Sequence, residues 1–470
     1  MTGEGLRMTR DIKSFEMGYR QVRVHSVRSL YASLPSFLYQ GLLTGYTREV
    51  TQHTPRVVIL GGGLGGIRVA LWLARHARSS ECAITVVDRS AEHVYPPVLY
   101  EAATAFNPFE REAVGKVIHE TAAVPFAQIF HGSPVTFLQR GVDHIDAKTR
   151  TVHFMNGDAL SADILVLALG SQLATFGMPD IDAHAFSIKT LPEAAELRHH
   201  LVGQFLRHRS ASRARQERAF TVTIVGGGSA GVELAAEMAV FLRKLARMHG
   251  VDTDVCRVIL LDSGEIVLRE YPPRLRQRGL VRLRSLGVHV HTRQKVCRIH
   301  QDHLECVGGK HFSTDTIVWL AGIRTHDILL HSGLPVHPRG GVYTERTLEV
   351  RGHQRIFAAG DCVYAEDPLT ARVVPDVAYA AMQQGSVVAQ NILRRLRGQP
   401  LVSYVDMPRP TFTTVGGKFA LVHLPPWQFA GRVGWYLKQL VDLWYLASVL
   451  PYDVALRVWW KSVRVRVAND

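Results

Sequence analysis

A chain of 470 residues is long enough for two or three hydrophobic cores and too long for one. Its 47% hydrophobic and 20% charged residues, without a low-complexity tract, exclude a disordered or fibrous chain. The net charge of +14 fits a solvated basic face, an anionic membrane surface or a phosphate-bearing cofactor; with no zinc-finger, RNP-like or basic-zipper pattern beside it, nucleic acid is not an expected partner. The cysteines Cys82, Cys256, Cys297, Cys306 and Cys362 show no CxxC or CxxxxC spacing. They suggest neither a disulfide framework nor a metal clip, so no metal site is expected, and a reducing compartment suits them.

Residues 1–54 read as an N-terminal extension. Arg20, Arg23 and Arg28 precede the chargeless window SLYASLPSFLYQGLLTGYT, which nearly reaches the length of a membrane span. Pro35, Gly41, Gly45 and its polar residues dilute it to an interfacial or packing segment, or to a loosely ordered extension. A secretory signal is not expected; the arginines leave a transit peptide open, with Asp11 and Glu16 against it.

A β-branched run at Arg56–Leu60 leads into GGGLGG, and helical spacing continues over Ile67–Ala74. This strand-turn-helix order makes Gly61 the tight turn, Gly63 the close approach to a pyrophosphate and Gly66 the contact of helix on strand, with Gly65 inside the same fingerprint. ITVVDRS then predicts a second strand ending in Asp88, whose carboxylate suits ribose hydroxyls. Two further buried-strand runs end in a glycine and a polar residue: ADILVLALGS at Gly170 and RIFAAGDC at Gly360 and Asp361. The latter resembles the motif by which flavoproteins with two dinucleotide domains set an Asp beside the ribityl chain of FAD. The FAD-binding domain is therefore expected in two parts, 55–175 and 330–411.

Between them, 176–329 reads as a second nucleotide domain. Thr221–Val225 is again a strand, Gly226, Gly228 and Gly231 repeat the glycine roles, and a helix begins at Val232. VILLDSG ends at Asp262, which suits the ribose of NADH and repels a 2′-phosphate; no arginine follows immediately, so NADH is favoured over NADPH. Glu233, on the first turn of that helix, can orient the nicotinamide carboxamide or influence proton movement, or merely complement the helix dipole. Two phosphate turns in one chain imply hydride delivery from NADH to FAD, which needs stacked rings and proximity but no protein nucleophile.

Five of the seven tryptophans fall in the last 44 residues. Leu437, Leu440, Val441 and Trp444 recur at helical spacing, as do Leu456, Trp459, Trp460, Val463 and Val467, with Arg457, Lys461 and Arg464 on another side. Residues 412–470 thus read as an amphipathic membrane-association module, a reading compatible with packing on the chain itself or on a second copy in a homodimer. The stretch 462–467 also alternates like a strand.

The chain from about Arg56 to Trp460 resembles the type II NADH:quinone oxidoreductases. The motifs that carry this are VVILGGGLGG, VDRSAEHVYPPVLYEAAT, LVLALGS, IVGGGSAGVELA, IVWLAGIR, IFAAGDC and VAYAAMQQG. The resemblance implies an α/β fold of two Rossmann-like domains for FAD and NADH, with the C-terminal amphipathic helical module at the membrane. It implies two-electron transfer from NADH through FAD to a membrane quinone without proton pumping, in a peripheral protein on an anionic membrane surface, facing the cytoplasm or an equivalent reducing side. Its quinone-site stretch falls on Ala378, Tyr379, Ala381 and Gln383, with Gln384 beside it. Tyr379 stands where the family often has Gln, and the tail lacks the family's usual Arg-Asn run. The rival readings are a sulfide:quinone oxidoreductase, a soluble NAD(P)H-dependent flavin reductase, and a non-enzymatic redox sensor or scaffold. The first needs reactive cysteines at the flavin, where the motifs set only Cys362.

Overall fold

The computed structural model describes residues 53–106, 114–210, 218–338, 340–366, 373–407 and 410–469. The apolar window at 29–47 lies outside the described residues. Strand β1 (Arg56–Leu60) is buried over four of its five residues, as a strand covered on both faces requires. It feeds α1 (Leu64–His76), β2 (Ala83–Asp88), α2 (Leu99–Thr104) and β3 (Val135–Gln139). A meander of β4 (Val142–Asp146), β5 (Thr151–Phe154) and β6 (Ala159–Ser161) precedes β7 (Ile164–Leu167).

After β8 (Ser171–Leu173) and β9 (Ala185–Phe186), the same series recurs. It runs β10 (Phe220–Val225), α3 (Ser229–Met248), β11 (Cys256–Leu261), β12 (Val288–His291), a meander of β13 (Val296–Ile299), β14 (His303–Cys306) and β15 (His311–Ser313), then β16 (Thr316–Trp319). The next strand, β17 (Ile323–Thr325), pairs antiparallel with β8. That ribbon carries the chain out of the first unit and back. β18 (Ile356–Ala358) then joins β7, and α4 (Ala378–Leu396) crosses α1, where a Cβ on Gly385 would come 2.6 Å from Gly65 O.

The two sheets have the orders β18-β7-β1-β2-β3 and β9-β16-β10-β11-β12, parallel throughout. In each, the chain departs to opposite sides of the phosphate strand, β1 or β10. This is the switch point at which open α/β sheets bind ligands. The expected α/β class with two Rossmann-like sheets is the observed one.

The C-terminal region opens with a meander of β19 (Thr411–Thr414), β20 (Ala420–Leu424) and β21 (Trp427–Gly431), then α5 (Arg432–Val449) and α6 (Tyr452–Asn469). α5 is inside out. Lys438, Gln439 and Asp442 are buried, whereas Val433, Tyr436, Leu440 and Trp444 are each more than half exposed. Along α6, Leu456, Trp460 and Val467 are exposed, while Trp459 is half-buried and donates its indole N–H to Gln439 O at 2.7 Å. The strand reading of 462–467 does not hold: helical spacing sets Ser462, Val465 and Arg466 on one buried face, and Arg466 finds ionic partners only in that form. Lys461, expected on an open basic side, is half-buried and ion-paired with Glu120. Both helices also enter the cores: Tyr445, Leu446 and Val449 join the cluster around the first sheet, and Val465 the cluster around the second. Among the described residues, no helix is long and apolar enough to cross a membrane.

Candidate active site

The two phosphate turns are built alike. Gly61 takes φ +104° and donates its N–H to Val87 O at 2.8 Å; Gly226 takes φ +122° and donates to Leu261 O at 2.8 Å. Side chains are strained at such angles. A Cβ at Gly66 would lie 1.9 Å from Gly61 O, and one at Gly231 would lie 1.8 Å from Gly226 O. Each helix can therefore press onto its strand end only as glycine. Gly63 and Gly228 differ, since nothing stands within 4 Å of a Cβ at either. Packing supplies no reason for glycine there; a phosphate over the helix N-terminus does. Gly65 faces Ala359 and Ala381, 3.4 Å from a Cβ position.

Each turn is closed by its own carboxylate. Asp88 Oδ2 accepts the Gly62 N–H at 2.7 Å, and Asp262 Oδ2 accepts the Gly227 N–H at 2.7 Å. Both carboxylates keep lone pairs for a ribose hydroxyl. The second also holds an arginine that the local sequence did not suggest: Arg269 Nη2 donates to Asp262 Oδ1 at 3.0 Å. Arg269 follows by seven positions, and the loop between them folds back to bring it in.

The helix α3 begins at Ser229, so Glu233 is its fifth residue, past the first turn rather than on it, and it is buried at 9% exposure; it is no surface dipole complement. Its Oε1 accepts from Thr414 N at 3.0 Å. Burial pushes its carboxyl up to about 7, with the Lys438 charge and the Thr414 N–H opposing that rise. From Glu233 a buried polar chain leads to the C-terminal helices. The Thr414 hydroxyl is 3.2 Å from Glu233 Oε1 and 2.8 Å from Tyr100 Oη, and Tyr100 donates to Glu101 at 2.8 Å. Glu101 accepts from Arg466 Nε at 2.7 Å, and Arg466 Nη1 reaches Asp442 at 2.8 Å. Burial opposes the charge on Arg466, but Glu101 and Asp442 outweigh it and hold the guanidinium firmly protonated.

Near the end of the first sheet, Gly170 takes φ +70° and Gly360 φ +83°. Asp361 Oδ2 accepts from the Ser171 hydroxyl at 2.8 Å, and Lys189 Nζ donates to Ser171 Oγ at 2.7 Å while standing 3.8 Å from Asp361. Lys189 is held by a capping box: Glu193 accepts from Lys189 N at 2.8 Å and from Thr190 N at 3.1 Å at the start of the helix Leu191–Arg209. The motif TLPE carried that signal, although nothing in it pointed to Asp361.

The expected quinone-site residues do not behave as one group. Ala378, Tyr379 and Gln383 are half-buried on α4, and the buried Gln383 Oε1 has no hydrogen-bond partner within the chain. Ala381 is buried against Gly65 and Gly360. Gln384 is buried and its Oε1 accepts from Gly360 N at 2.8 Å. Its amide oxygen braces the turn carrying Asp361 rather than lining an open site. Cys362 is also buried; its thiol donates toward Leu167 O and Ala359 O, and burial pushes it up to about 12. A thiol in that state is not a ready nucleophile.

The C-terminal helices are tied to the first turn. His93 Nδ1 lies 2.9 Å from Gly62 O and its Nε2 lies 2.6 Å from the Tyr445 hydroxyl. Only a neutral ring with Nδ1 protonated donates to the carbonyl and accepts from the phenol. Complete burial agrees, lowering the His93 ring to about 4.

Known proteins share this fold. A Staphylococcus aureus type II NADH:quinone oxidoreductase is 27% identical over 84% of this chain and 95% of its own. An NDH2 from Plasmodium falciparum, solved in complex with NADH, superposes with a TM-score of 0.73 at 14% identity, over 87% of this chain and 98% of that one. The sulfide:quinone oxidoreductase of Aquifex aeolicus superposes at 0.69 with 18% identity, covering 85% and 92%. These likenesses agree with the resemblance carried by the motifs. Residues 55–385 match the pyridine nucleotide-disulphide oxidoreductases, and the chain belongs to that family.

Proposed function

We propose that this protein is a peripheral membrane NADH:quinone oxidoreductase that uses FAD and moves two electrons without pumping protons. The observation that carries the reading is the pair of phosphate turns, each closed by its own carboxylate, one on each parallel sheet. The cradle at Gly63, which packing leaves open, and the unpartnered Gln383 Oε1 fit a flavin dinucleotide on the first sheet. Gly61, Gly63, Gly65, Gly66 and the α1 N-terminus would hold its pyrophosphate, Asp88 its adenosine ribose, and Gly170, Gly360 and Asp361 its ribityl side. When bound, FAD supplies a ring that takes two electrons from NADH and releases them to the quinone.

The remaining work falls to this chain's own residues. Gly226, Gly228 and Gly231 receive the NADH pyrophosphate, and Asp262 orients its ribose. Glu233, poised near neutrality, holds or releases a proton beside the bound nicotinamide. Tyr379 and Gln383, one helical turn apart, offer a phenol and an amide to the quinone. The outward apolar side chains of α5 and α6 meet the bilayer on the cytoplasmic side, and the basic excess favours anionic headgroups. Lipid contact and packing onto the protein are thus assigned to opposite faces of the same helices.

The sulfide-oxidising alternative requires reactive cysteines at the flavin. Among the described residues only Cys362 stands beside Asp361, and it is buried as a thiol. The deciding experiment is anaerobic addition of NADH to the purified yellow protein, followed by a short-chain quinone. Bleaching by NADH and recovery with quinone are expected. Bleaching without recovery would overturn the quinone assignment in favour of a flavin reductase, and a failure to bleach would overturn the NADH site.

A further inference from the structure

The meander β13-β14-β15 has two faces of opposite chemistry. Ile299, Leu304, Cys306 and Phe312 point inward and are buried in the core below the second sheet. The other side chains alternate outward, as the period of a strand dictates. The register pairs Ile299 with Leu304 and Glu305 with His311, and His300 N donates to His303 O at 2.9 Å across the hairpin turn. His300, His303, Glu305 and His311 therefore share the outer face, within cross-strand reach of one another.

Their atoms converge. His300 Nε2 lies 3.1 Å from Glu305 Oε1, and His303 Nε2 lies 3.7 Å from the same oxygen. One ligand atom from each of the three lies within 4.8 Å of the others. Tetrahedral bonds of about 2.0–2.1 Å place ligand atoms roughly 3.3–3.4 Å apart, which these two separations bracket. Hydrogen bonding accounts for the first distance and not for the second, which is too long. In the ladder Glu305 also stands opposite Arg298, yet its Oε1 turns to the two imidazoles.

An outer carboxylate completes the pattern. Asp302 Oδ1 lies 2.8 Å from His303 Nδ1. It accepts the Nδ1 proton and leaves Nε2 as the lone-pair nitrogen, the tautomer that a metal-bound imidazole adopts. The His300 and His303 rings are stacked, with centroids 4.2 Å apart, so both must turn out of that stack to aim their Nε2 atoms at one ion. His303 also meets His311, with ring centroids 5.9 Å apart, which sets a further imidazole beside the three.

We propose that this face binds one divalent transition-metal ion of the zinc class through His300 Nε2, His303 Nε2 and a Glu305 oxygen, with His311 or water as the fourth ligand. Two neutral imidazoles and one carboxylate match that class rather than calcium or magnesium, which take oxygen ligands. The ion would clip the hairpin turn at its open end. The site is independent of the redox assignment.

The test uses the full-length, FAD-loaded protein stripped of metal with a chelator. With 23 histidines in the chain, weak binding elsewhere is expected, so the comparison is between variants. Equilibrium dialysis against Zn²⁺ should give one tight equivalent in the natural protein and none in H300Q/H303Q. Bleaching of the flavin by NADH should be the same in both, which also reports that the variant is folded. Asp302→Asn should keep the stoichiometry and weaken affinity about 10–100-fold, as loss of an orienting carboxylate does. With Co²⁺ as probe, the visible spectrum should show a four-coordinate ion that disappears in H300Q/H303Q and persists in Cys297→Ser. Equal tight binding in the natural protein and H300Q/H303Q would overturn the site, as would loss of the cobalt spectrum in Cys297→Ser alone. An affinity unaffected by Asp302→Asn would overturn the orienting role.

Discussion

Arg269 reaches back over seven positions to place its Nη2 3.0 Å from Asp262 Oδ1, in the carboxylate that closes the second phosphate turn. Sequence order suggested an Asp without an adjacent arginine, hence simple rejection of a 2′-phosphate. The structure supplies both charges: the Asp accepts ribose hydroxyls, and a largely exposed Arg stands beside it. Asp262→Ser should lower kcat/KM for NADH about 10–100-fold, the equivalent of a lost charged hydrogen bond of roughly 1.5–3 kcal/mol. It should also narrow the gap to NADPH, because Arg269 then faces the phosphate unneutralised. Asp262→Ser/Arg269→Ala should abolish that narrowing. Steady-state kinetics with both nucleotides checks this, and an unchanged ratio in Asp262→Ser would refute the pairing as a determinant.

Glu233 makes a prediction in pH. Its ordinary value is 4.5 and its folded value about 7, so the folded protein holds the proton more tightly across that window. Its favourable contribution is complete below pH 4.5 and is lost as pH rises through 7. Glu233→Gln should therefore gain stability relative to the natural protein between those values, approaching about 3 kcal/mol at alkaline pH. The rate of flavin bleaching by NADH should show an inflection near neutrality that Glu233→Gln removes. Stopped-flow traces across pH, beside denaturant melts, measure both.

His93 has the opposite sense. Its ring falls from 6.5 to about 4 on folding, so the unfolded chain binds a proton that the native one refuses. Its contribution is full above pH 6.5 and disappears as pH falls to 4, amounting to about 3 kcal/mol. His93→Phe should flatten that part of the acid limb and loosen FAD, since Gly62 O and Tyr445 lose their shared partner. Urea melts at pH 7 and 5, with flavin retention after gel filtration, test it.

Arg466 sits among Glu101, Asp442 and Lys438, all nearly inaccessible to water. Arg466→Met leaves two buried carboxylates facing one cation and should cost about 3–5 kcal/mol, with α6 becoming sensitive to protease. Arg466→Met combined with Glu101→Gln should recover part of that loss. If the single variant melts like the natural protein, the cluster is not a clasp for the tail.

The outward faces of α5 and α6 can be tested without deleting them. Removing the tail would also remove Tyr445 from the first turn and Arg466 from Glu101, so truncation confuses attachment with folding. Leu440→Glu and Trp460→Glu place charges on exposed positions alone. They should release the protein from anionic phospholipid vesicles in flotation assays while leaving flavin bleaching by NADH intact. Continued flotation would show that these faces do not carry the membrane contact.

The phosphate turns were legible in the sequence because their causes are local. A positive φ at Gly61 and the press of Gly66 onto Gly61 O are decided within six residues of chain, and so are their counterparts at Gly226 and Gly231. Strand runs before each turn and an Asp after the next strand completed the pattern. The capping box holding Lys189 was also visible in the sequence, but not its partner, because Ser171 lies 18 residues earlier on another element. Local periodicity found the apolar stripes of the tail and left open which face they turned to water. That was decided by Arg466 and Tyr445, whose partners Glu101 and His93 lie 365 and 352 positions away. A buried charge must find its counter-charge wherever the fold provides one, and no local pattern encodes that address. The sequence by itself therefore determined two nucleotide turns and their order; the tertiary structure alone decided that Arg269 shares Asp262, that Glu233 is buried, and that α5 keeps its polar face inward.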